Sequence, residues 1–394
     1  MKPTPFYPRT SELCDSHSWA DWSGYLTANS YDKDHTHEYL AVRTACAVFD
    51  ASPLYKYLIH GPDAMRLMNR IVTQDVSRCV VGRAMYTPWC DDEGKIIDDG
   101  ILVRLEEQVF RLTAADPTLF WLEDNAVGLD VTAEDITEGL GVLALQGPTS
   151  RELLKTLSNA DFDSLGYFRI LNTDLAGIPV TVSRTGYTGD LGFEIWVEPH
   201  RALDLWDALF EAGEAYALRP FGENALDMAR IEAGLLLTEV DFHSSKKVLH
   251  EFEKSTPLEL GLGWTVKLDQ EYFVGQSALK RERQGGSAWA TVGLEVDLNA
   301  LEGIYAEFGM PLYLPYESWG DAVPVFANGR QVGKATSGTW SPILKKYIAI
   351  SRLRPRYARP GTPVEMEVTI DAQRKHAKAM VGKLPFFDPP RKRD

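Results

Sequence analysis

Two acidic positions in this 394-residue chain have the neighbours that ligand chemistry needs. The first is Glu194, in the run Ser183-Arg184-Thr185-Gly186-Tyr187-Thr188-Gly189-Asp190-Leu191-Gly192-Phe193-Glu194-Ile195-Trp196-Val197. Gly186, Gly189 and Gly192 recur every third residue, which lets a backbone turn sharply and approach a ligand closely. The chain then alternates. Phe193, Ile195 and Val197 share one face of a strand, so Glu194 and Trp196 share the other. A carboxylate beside an aromatic at the mouth of such a loop suits a flat heterocycle that presents N–H donors, because it accepts two parallel bonds as it does from an arginine fork. The second position is Asp98-Asp99, behind the apolar pair Ile96-Ile97. Adjacent strand residues point to opposite faces, so one aspartate can face a cavity while the other meets solvent or a backbone donor. A partly buried carboxylate can take a proton or stabilise a developing cation. Both stretches also fit plainer readings, a β-turn feeding a half-buried strand and a turn-forming Asp-Asp-Gly.

Arg230 sits among apolar Met228, Ile231 and Ala233, and an arginine in such a helix is rarely buried without a partner. Asp227, Glu232 or a ligand carboxylate could supply one. No metal site is expected, since His35-Thr36-His37-Glu38 lacks a second half and helical spacing. The glycine run is G-x-x-G-x-x-G, not a dinucleotide fingerprint, and neither a Walker loop nor a G-x-S-x-G elbow occurs.

The glycine loop resembles the folate-binding loop of the glycine-cleavage T-protein (aminomethyltransferase) superfamily. Other boxes match in the same order. Ala41-Val42-Arg43-Thr44 with Val48-Phe49-Asp50 resembles the family's N-terminal box, and Gly94-Lys95-Ile96-Ile97-Asp98-Asp99 its G-x-(I/V)-(I/L)-D-D segment. Leu145-Gln146-Gly147-Pro148 is similar to A-x-Q-G-P, and Arg230-Ile231-Glu232-Ala233-Gly234 to R-L-E-A-G. Pro257-Leu258-Glu259, Gly263-Trp264-Thr265 and Gly275-Gln276 follow, then Thr336-Ser337-Gly338-Thr339-Trp340-Ser341-Pro342, which resembles T-S-G-x-x-S-P. The boxes run from about residue 41 to about residue 350.

The resemblance implies an α+β fold of three lobes around a central folate cavity, with tetrahydrofolate as cofactor. It implies a discontinuous folate-binding lobe, residues 1–50 plus about 141–250, and a second lobe over about 51–140. It also implies roles. Asp98, the first aspartate of its pair, is the expected catalytic group beside the reactive folate nitrogens. Glu194 is the expected pterin anchor, and Tyr86, Tyr187 and Arg230 the other expected cofactor contacts.

The chain departs from the glycine-cleavage enzyme in several places. Phe49-Asp50-Ala51-Ser52-Pro53-Leu54-Tyr55-Lys56 is closer to the folate domains of sarcosine and dimethylglycine dehydrogenases. Ala114-Ala115-Asp116-Pro117-Thr118 replaces an N-S-A-T segment, Leu226 replaces an arginine, and Leu235 to His243 replaces an L-Y-G stretch. These changes gather on the side where the one-carbon donor should arrive. The expected activity is therefore tetrahydrofolate-dependent transfer of a methyl or methylene unit from a small methylated amine or onium donor. Two alternatives stay open. One is a glycine-cleavage aminomethyltransferase fed by a lipoyl carrier protein. The other is a non-catalytic folate-binding assembly or regulatory protein, whose K-G-C-Y-x-G-Q-E signature is missing here.

Composition bounds the partners. A net charge of −15 argues against nucleic acid, whose phosphates demand a basic face. No apolar run approaches the ~18–20 residues of a membrane span. Met1-Lys2-Pro3-Thr4-Pro5 lacks a signal-peptide core, and Cys14, Cys46, Cys79 and Cys90 make no C-x-x-C pair, so a cytoplasmic protein with reduced thiols is expected.

The elements that must position these residues follow from periodicity. Helices are expected after Asp63, with Met65, Leu67, Met68 and Ile71 apolar, over Thr149 to about Leu157, over Arg201 to about Tyr216, and over Asn224 to Ala233. Strands are expected over 84–89, 101–105, 109–112, 141–145, 180–183 and 194–197. After Gln284-Gly285-Gly286-Ser287 the chain reads as short strands, nearly free of helix, which marks a C-terminal β-barrel or β-sandwich over about 288–394. The end, Arg391-Lys392-Arg393-Asp394, reads as a solvated tail.

Overall fold

The computed structural model describes residues 1–394, built from three main sheets with helices between them. The first sheet has the order Ile170–Leu175, Ile178–Ser183, Gly192–Val197, Gly141–Gln146, Ala47–Asp50, Arg219–Pro220. Its pairs are antiparallel except the last. Phe193, Ile195 and Val197, with Leu143 and Leu145, bury one face against Leu153 and Leu154 of helix Ser150–Leu157 and Leu205, Trp206 and Leu209 of helix Ala202–Gly213. Each such side chain taken from water contributes roughly 1.5–3 kcal/mol. Trp196, Ala144 and Phe49 lie on the other face, with Tyr39 and Val42 of helix Thr36–Thr44 and Ala225, Met228 and Ala229 of helix Glu223–Glu232.

The second sheet is antiparallel throughout, in the order Arg83–Cys90, Ile96–Glu106, Val109–Ala114, Tyr55–His60, Thr132–Asp135. Met85, Trp89, Leu102, Phe110, Leu112, Tyr57 and Ile59 form its core face. They pack on Leu67, Met68 and Ile71 of helix Ala64–Ile71 and Leu122 of helix Leu119–Ala126. The spacing of Leu67, Met68 and Ile71 puts all three on one helical stripe.

Between barrel and sandwich, the C-terminal sheet resolves as a closed six-stranded barrel: Ala290–Val296, Lys346–Leu353, Arg330–Ser341, Val323–Ala327, Pro363–Ile370, Gln373–Gly382. Closure removes the exposed edges of an open sheet. The 12-residue strand Arg330–Ser341 bends at an irregularity between Ala335 and Ser337, which suits that closure. A helix, Leu298–Glu307, interrupts the expected all-strand region; Asp297 caps it by accepting from the Asn299 and Ala300 N–H groups. The C-terminal residues are anchored to the body, although Arg393 and Asp394 stay exposed as expected of a solvated end. Arg391 Nε donates to Asp190 at 2.6 Å, the Asp394 carbonyl accepts from Arg151 at 2.6 Å and from Arg184, and the Phe386 and Phe387 N–H groups donate to the Glu232 carbonyl. The physical reason is Asp190, a fully buried carboxylate that requires a cation. No helix is long and apolar enough to cross a membrane.

Candidate active site between two sheets

The strand phase of the second sheet decides which acid faces the cavity. Asp98 pairs with Trp89 across the strands, so it lies on the core face. There it has no exposed surface. Its Oδ1 accepts from the Asp99 N–H at 2.8 Å, and its Oδ2 from the Ala115 and Asp116 N–H groups at 3.0 and 2.9 Å. Asp98 therefore ties down the loop that follows strand Val109–Ala114. Asp98, expected beside the folate, is thus enclosed on the core face. Alternation gave two opposite faces, and the core packing of Trp89 turned Asp98 inward and Asp99 outward. Asp99 shares its face with Tyr86, Ile101, Val103 and Arg111. Its Oδ2 accepts from the Tyr86 hydroxyl at 2.6 Å.

On the first sheet, Glu194 shares its face with Ala144 and Trp196. Its Oε2 accepts from the hydroxyls of Thr185 at 2.9 Å and Ser183 at 3.4 Å, and Oε1 takes no bond from the chain. The two faces meet where the Arg111 guanidinium lies 3.7 Å from the Trp196 ring centroid. Tyr86, Asp99, Tyr187 and Glu194 keep accessible surface, yet burial is the largest influence on the ionisation of each. Accessible surface deep inside a molecule defines a recess, not a filled core or an outer face. Burial pushes Asp99 up to about 6, against the Tyr86 and Thr238 hydroxyls that favour its anion. Burial pushes Asp98 up too, helped by the Asp99 charge and opposed by its backbone donors, so the two titrate as a pair. Burial also raises Glu194, against the Thr185 hydroxyl and the Arg111 charge.

The boxes of the sequence converge on this recess. The Gln146 carboxamide passes beneath the glycine loop. A Cβ on Gly186 or on Gly192 would stand 2.1 or 2.2 Å from Gln146 Oε1, so a side chain at either position would have to push the Gln146 carboxamide aside. Gln146 Oε1 in turn accepts from the Thr188 hydroxyl at 2.9 Å. The Trp264 indole stacks on Tyr86, with centroids 5.9 Å apart and planes 27° apart. Tyr187 donates its hydroxyl to the Leu236 carbonyl.

Arg230 is fully committed on one side. Nε donates to Asp227 at 2.5 Å, and Nη1 donates to Asp241 and to Ser337 at 3.2 Å. It thus joins helix Glu223–Glu232 to the barrel, while Nη2 stays buried without a partner. Of the two local carboxylates expected to pair with it, Asp227 does so. Glu232 instead accepts from Arg43 Nε at 2.9 Å and from the Tyr39 and Ser341 hydroxyls. Sequence reasoning missed Asp99, Arg111, Asp241 and Trp264 as site residues. For Arg111 a signal existed: an arginine inside Phe110-Arg111-Leu112-Thr113 must face away from the apolar pair.

Comparison with known proteins adds independent findings. Residues 11–270 match the family model described as the GCVT N-terminal domain, and residues 319–388 match that of the glycine cleavage T-protein C-terminal barrel domain. The chain is 33% identical over 395 residues to the aminomethyltransferase of Halothermothrix orenii, covering 98% of this chain and 100% of that one. It is 36% identical over 407 residues to the trimethylamine-oxide aldolase of Ruegeria pomeroyi, covering all of this chain and 48% of that one. Among solved structures, the glycine cleavage system aminomethyltransferase T from Bartonella henselae superposes with a TM-score of 0.83 at 24% identity, covering 98% of both chains. That likeness shows the fold.

Proposed function

The chain belongs to the glycine cleavage T-protein family, enzymes that transfer a one-carbon unit to tetrahydrofolate, and on that premise we propose that its donor is a small methylated amine or onium compound. The observation that carries this reading is Asp99, a carboxylate in a deep recess, hydrogen-bonded by Tyr86, whose ring stacks on Trp264, and close to Tyr187. A carboxylate among aromatic faces favours a compact cation. The match to a trimethylamine-oxide aldolase, a protein named for a methylated nitrogen compound, supports the same donor class.

The residues present fit the folate. Glu194 has a free, accessible oxygen beside one already oriented by Thr185, as a bidentate acceptor needs. Tetrahydrofolate supplies the nucleophilic N5 when bound. Glu194 holds the pterin edge and thereby fixes its depth. Asp99, rather than Asp98, stabilises the positive charge on the donor nitrogen or takes the proton released. Tyr86 orients Asp99 through its hydroxyl, and Trp264 backs the Tyr86 ring. Tyr187 lines the same recess, held by the Leu236 carbonyl, and the buried Arg230 lies behind it, held by Asp227 and Asp241. Orientation of two reactants in one site can contribute roughly 7–11 kcal/mol at best.

The second reading is an aminomethyltransferase served by a lipoyl carrier protein, and the full-length match to such an enzyme by name supports it. Incubating the protein and tetrahydrofolate with methylated amines, sulfonium compounds, aryl methyl ethers or an aminomethyl-lipoyl carrier, and reading the folate product by mass, separates the two. Turnover with the carrier alone would overturn the small-donor reading. Saturating tetrahydrofolate should also stabilise the fold, by about 2.7 kcal/mol at a hundredfold excess over its dissociation constant.

A further inference from the structure

Arg111 is buried, and alone among the buried arginines it makes neither a hydrogen bond nor an ion pair within this chain. Its Nε and Nη2 are enclosed without partners, which leaves Nη1 as the nitrogen that can meet a ligand. A guanidinium taken from water needs its donors satisfied, and this one cannot discard its charge at neutral pH. Burial lowers its pKa only to about 10, and the Glu194 charge opposes even that. The plane of the group is held by the Trp196 ring beneath it, 3.7 Å from Cζ to the centroid. Trp196 and Glu194 share a face of the same strand, so the stacked guanidinium and the carboxylate open onto one place. Nearby Lys56 is a second cation, whose ammonium donates to the carbonyls of Ser52 and Leu54 at 2.7 and 2.8 Å, so it adds repulsion and not a partner.

A reduced pterin presents on one edge a 2-amino group, N3–H and a C4 carbonyl. Glu194 can accept from the first two, which leaves the carbonyl oxygen beside them in want of a donor. We propose that Arg111 donates to that C4 oxygen, so that Glu194 and Arg111 together read the whole edge and discriminate an oxo from an amino group at C4. This rests on the folate reading above. An arginine stacked on an indole is preorganised for such a bond, and a site built around a donor rejects the analogue that lacks its acceptor.

The test uses the full chain as wild type, Arg111→Met and Arg111→Lys. Each is titrated with tetrahydrofolate and with its 4-amino counterpart, following tryptophan fluorescence, and melted with and without ligand. Wild type should prefer tetrahydrofolate by tenfold or more. Arg111→Met should bind tetrahydrofolate roughly 10- to 100-fold more weakly and the 4-amino compound within about threefold of wild type, so the preference collapses. The melting point of unliganded Arg111→Met should stay level or rise, because an unpaired buried charge has gone, while the shift given by tetrahydrofolate shrinks. Arg111→Lys should recover part of the affinity and little of the preference. An equal loss for both ligands, unchanged tetrahydrofolate binding, or a lowered unliganded melting point with the preference intact would each overturn the proposal. If wild type binds neither compound, the folate reading falls with it. If wild type binds tetrahydrofolate and Arg111→Met keeps the preference, only the Arg111 assignment falls.

Discussion

Two charged regions of this protein are built on opposite terms. In the seam between helix Glu223–Glu232, helix Thr36–Thr44 and the barrel, buried charges are matched. Arg43 donates to Glu232, to the Thr188 carbonyl and to the Ala229 carbonyl, and Arg230 meets Asp227, Asp241 and Ser337. Across the recess between the two sheets, charges are left open: Arg111 has no partner, Glu194 has one free oxygen and Asp99 is held only by hydroxyls. Matched buried charges hold elements in place, whereas unmatched ones are preorganised for something that arrives later. The difference teaches where to look for stability and where to look for function.

The largest expected effect lies in the seam. Glu232→Ala takes from Arg43 its nearest carboxylate, leaving only Asp190 at 3.6 Å, and should lower the unfolding free energy by about 3–5 kcal/mol, measured from urea transitions. An unchanged midpoint would remove the seam's claim to stability. In the recess, Asp99→Asn should lower kcat by about 10²–10⁴-fold, as for loss of a positioned acid–base or electrostatic group, without lowering stability at pH 8. Asp98→Asn should do the reverse. Its amide cannot accept all three backbone N–H bonds, so stability drops by about 1.5–3 kcal/mol while the folded fraction still turns over. The opposite pattern would restore Asp98 as the catalytic residue.

Glu194→Gln should weaken tetrahydrofolate binding by about 1.5–3 kcal/mol, read by titration calorimetry, and leave the melting point of the free protein near that of wild type. Wild-type affinity in this variant would sink the pterin-anchor role. The smallest effect is on pH. Asp99 is raised to about 6 in the fold, so its carboxylate is lost as pH falls through about 6. Turnover should then be roughly halved near pH 6 and fall ~tenfold per unit below it, with Asp99→Asn showing no such step. The stability contribution runs the other way, since a raised carboxyl favours the fold below its unfolded value and loses that advantage as pH rises through about 6. A flat rate profile from pH 5 to 8 would separate Asp99 from the chemistry.

Much of the site was legible because local rules act on neighbours. The alternation Phe193, Glu194, Ile195, Trp196, Val197 put Glu194 opposite the apolar stripe, and the structure has those three apolar residues in the core. The spacing of the glycines announced a close approach, which turned out to be to the Gln146 side chain. The barrel was legible only as a region of strands. Choosing a barrel over a sandwich depends on the pairing of Ala290–Val296 with Gln373–Gly382, whose partners from Val296↔Ala379 to Gly293↔Gly382 are 83 to 89 positions apart, which no local pattern encodes.

By itself the sequence determined the family, the folate boxes and the faces that adjacent residues cannot share. Strand periodicity is a relative phase, however, and says which residues lie together without saying which side they take. Only the tertiary structure decided that Asp98 turns to the core with Trp89 and Asp99 to the recess with Tyr86, because the choice rests on what packs against each face. It likewise decided that Arg111 and Glu194, 83 positions apart by their numbers, share one place, since two sheets must first form and dock before their faces can meet.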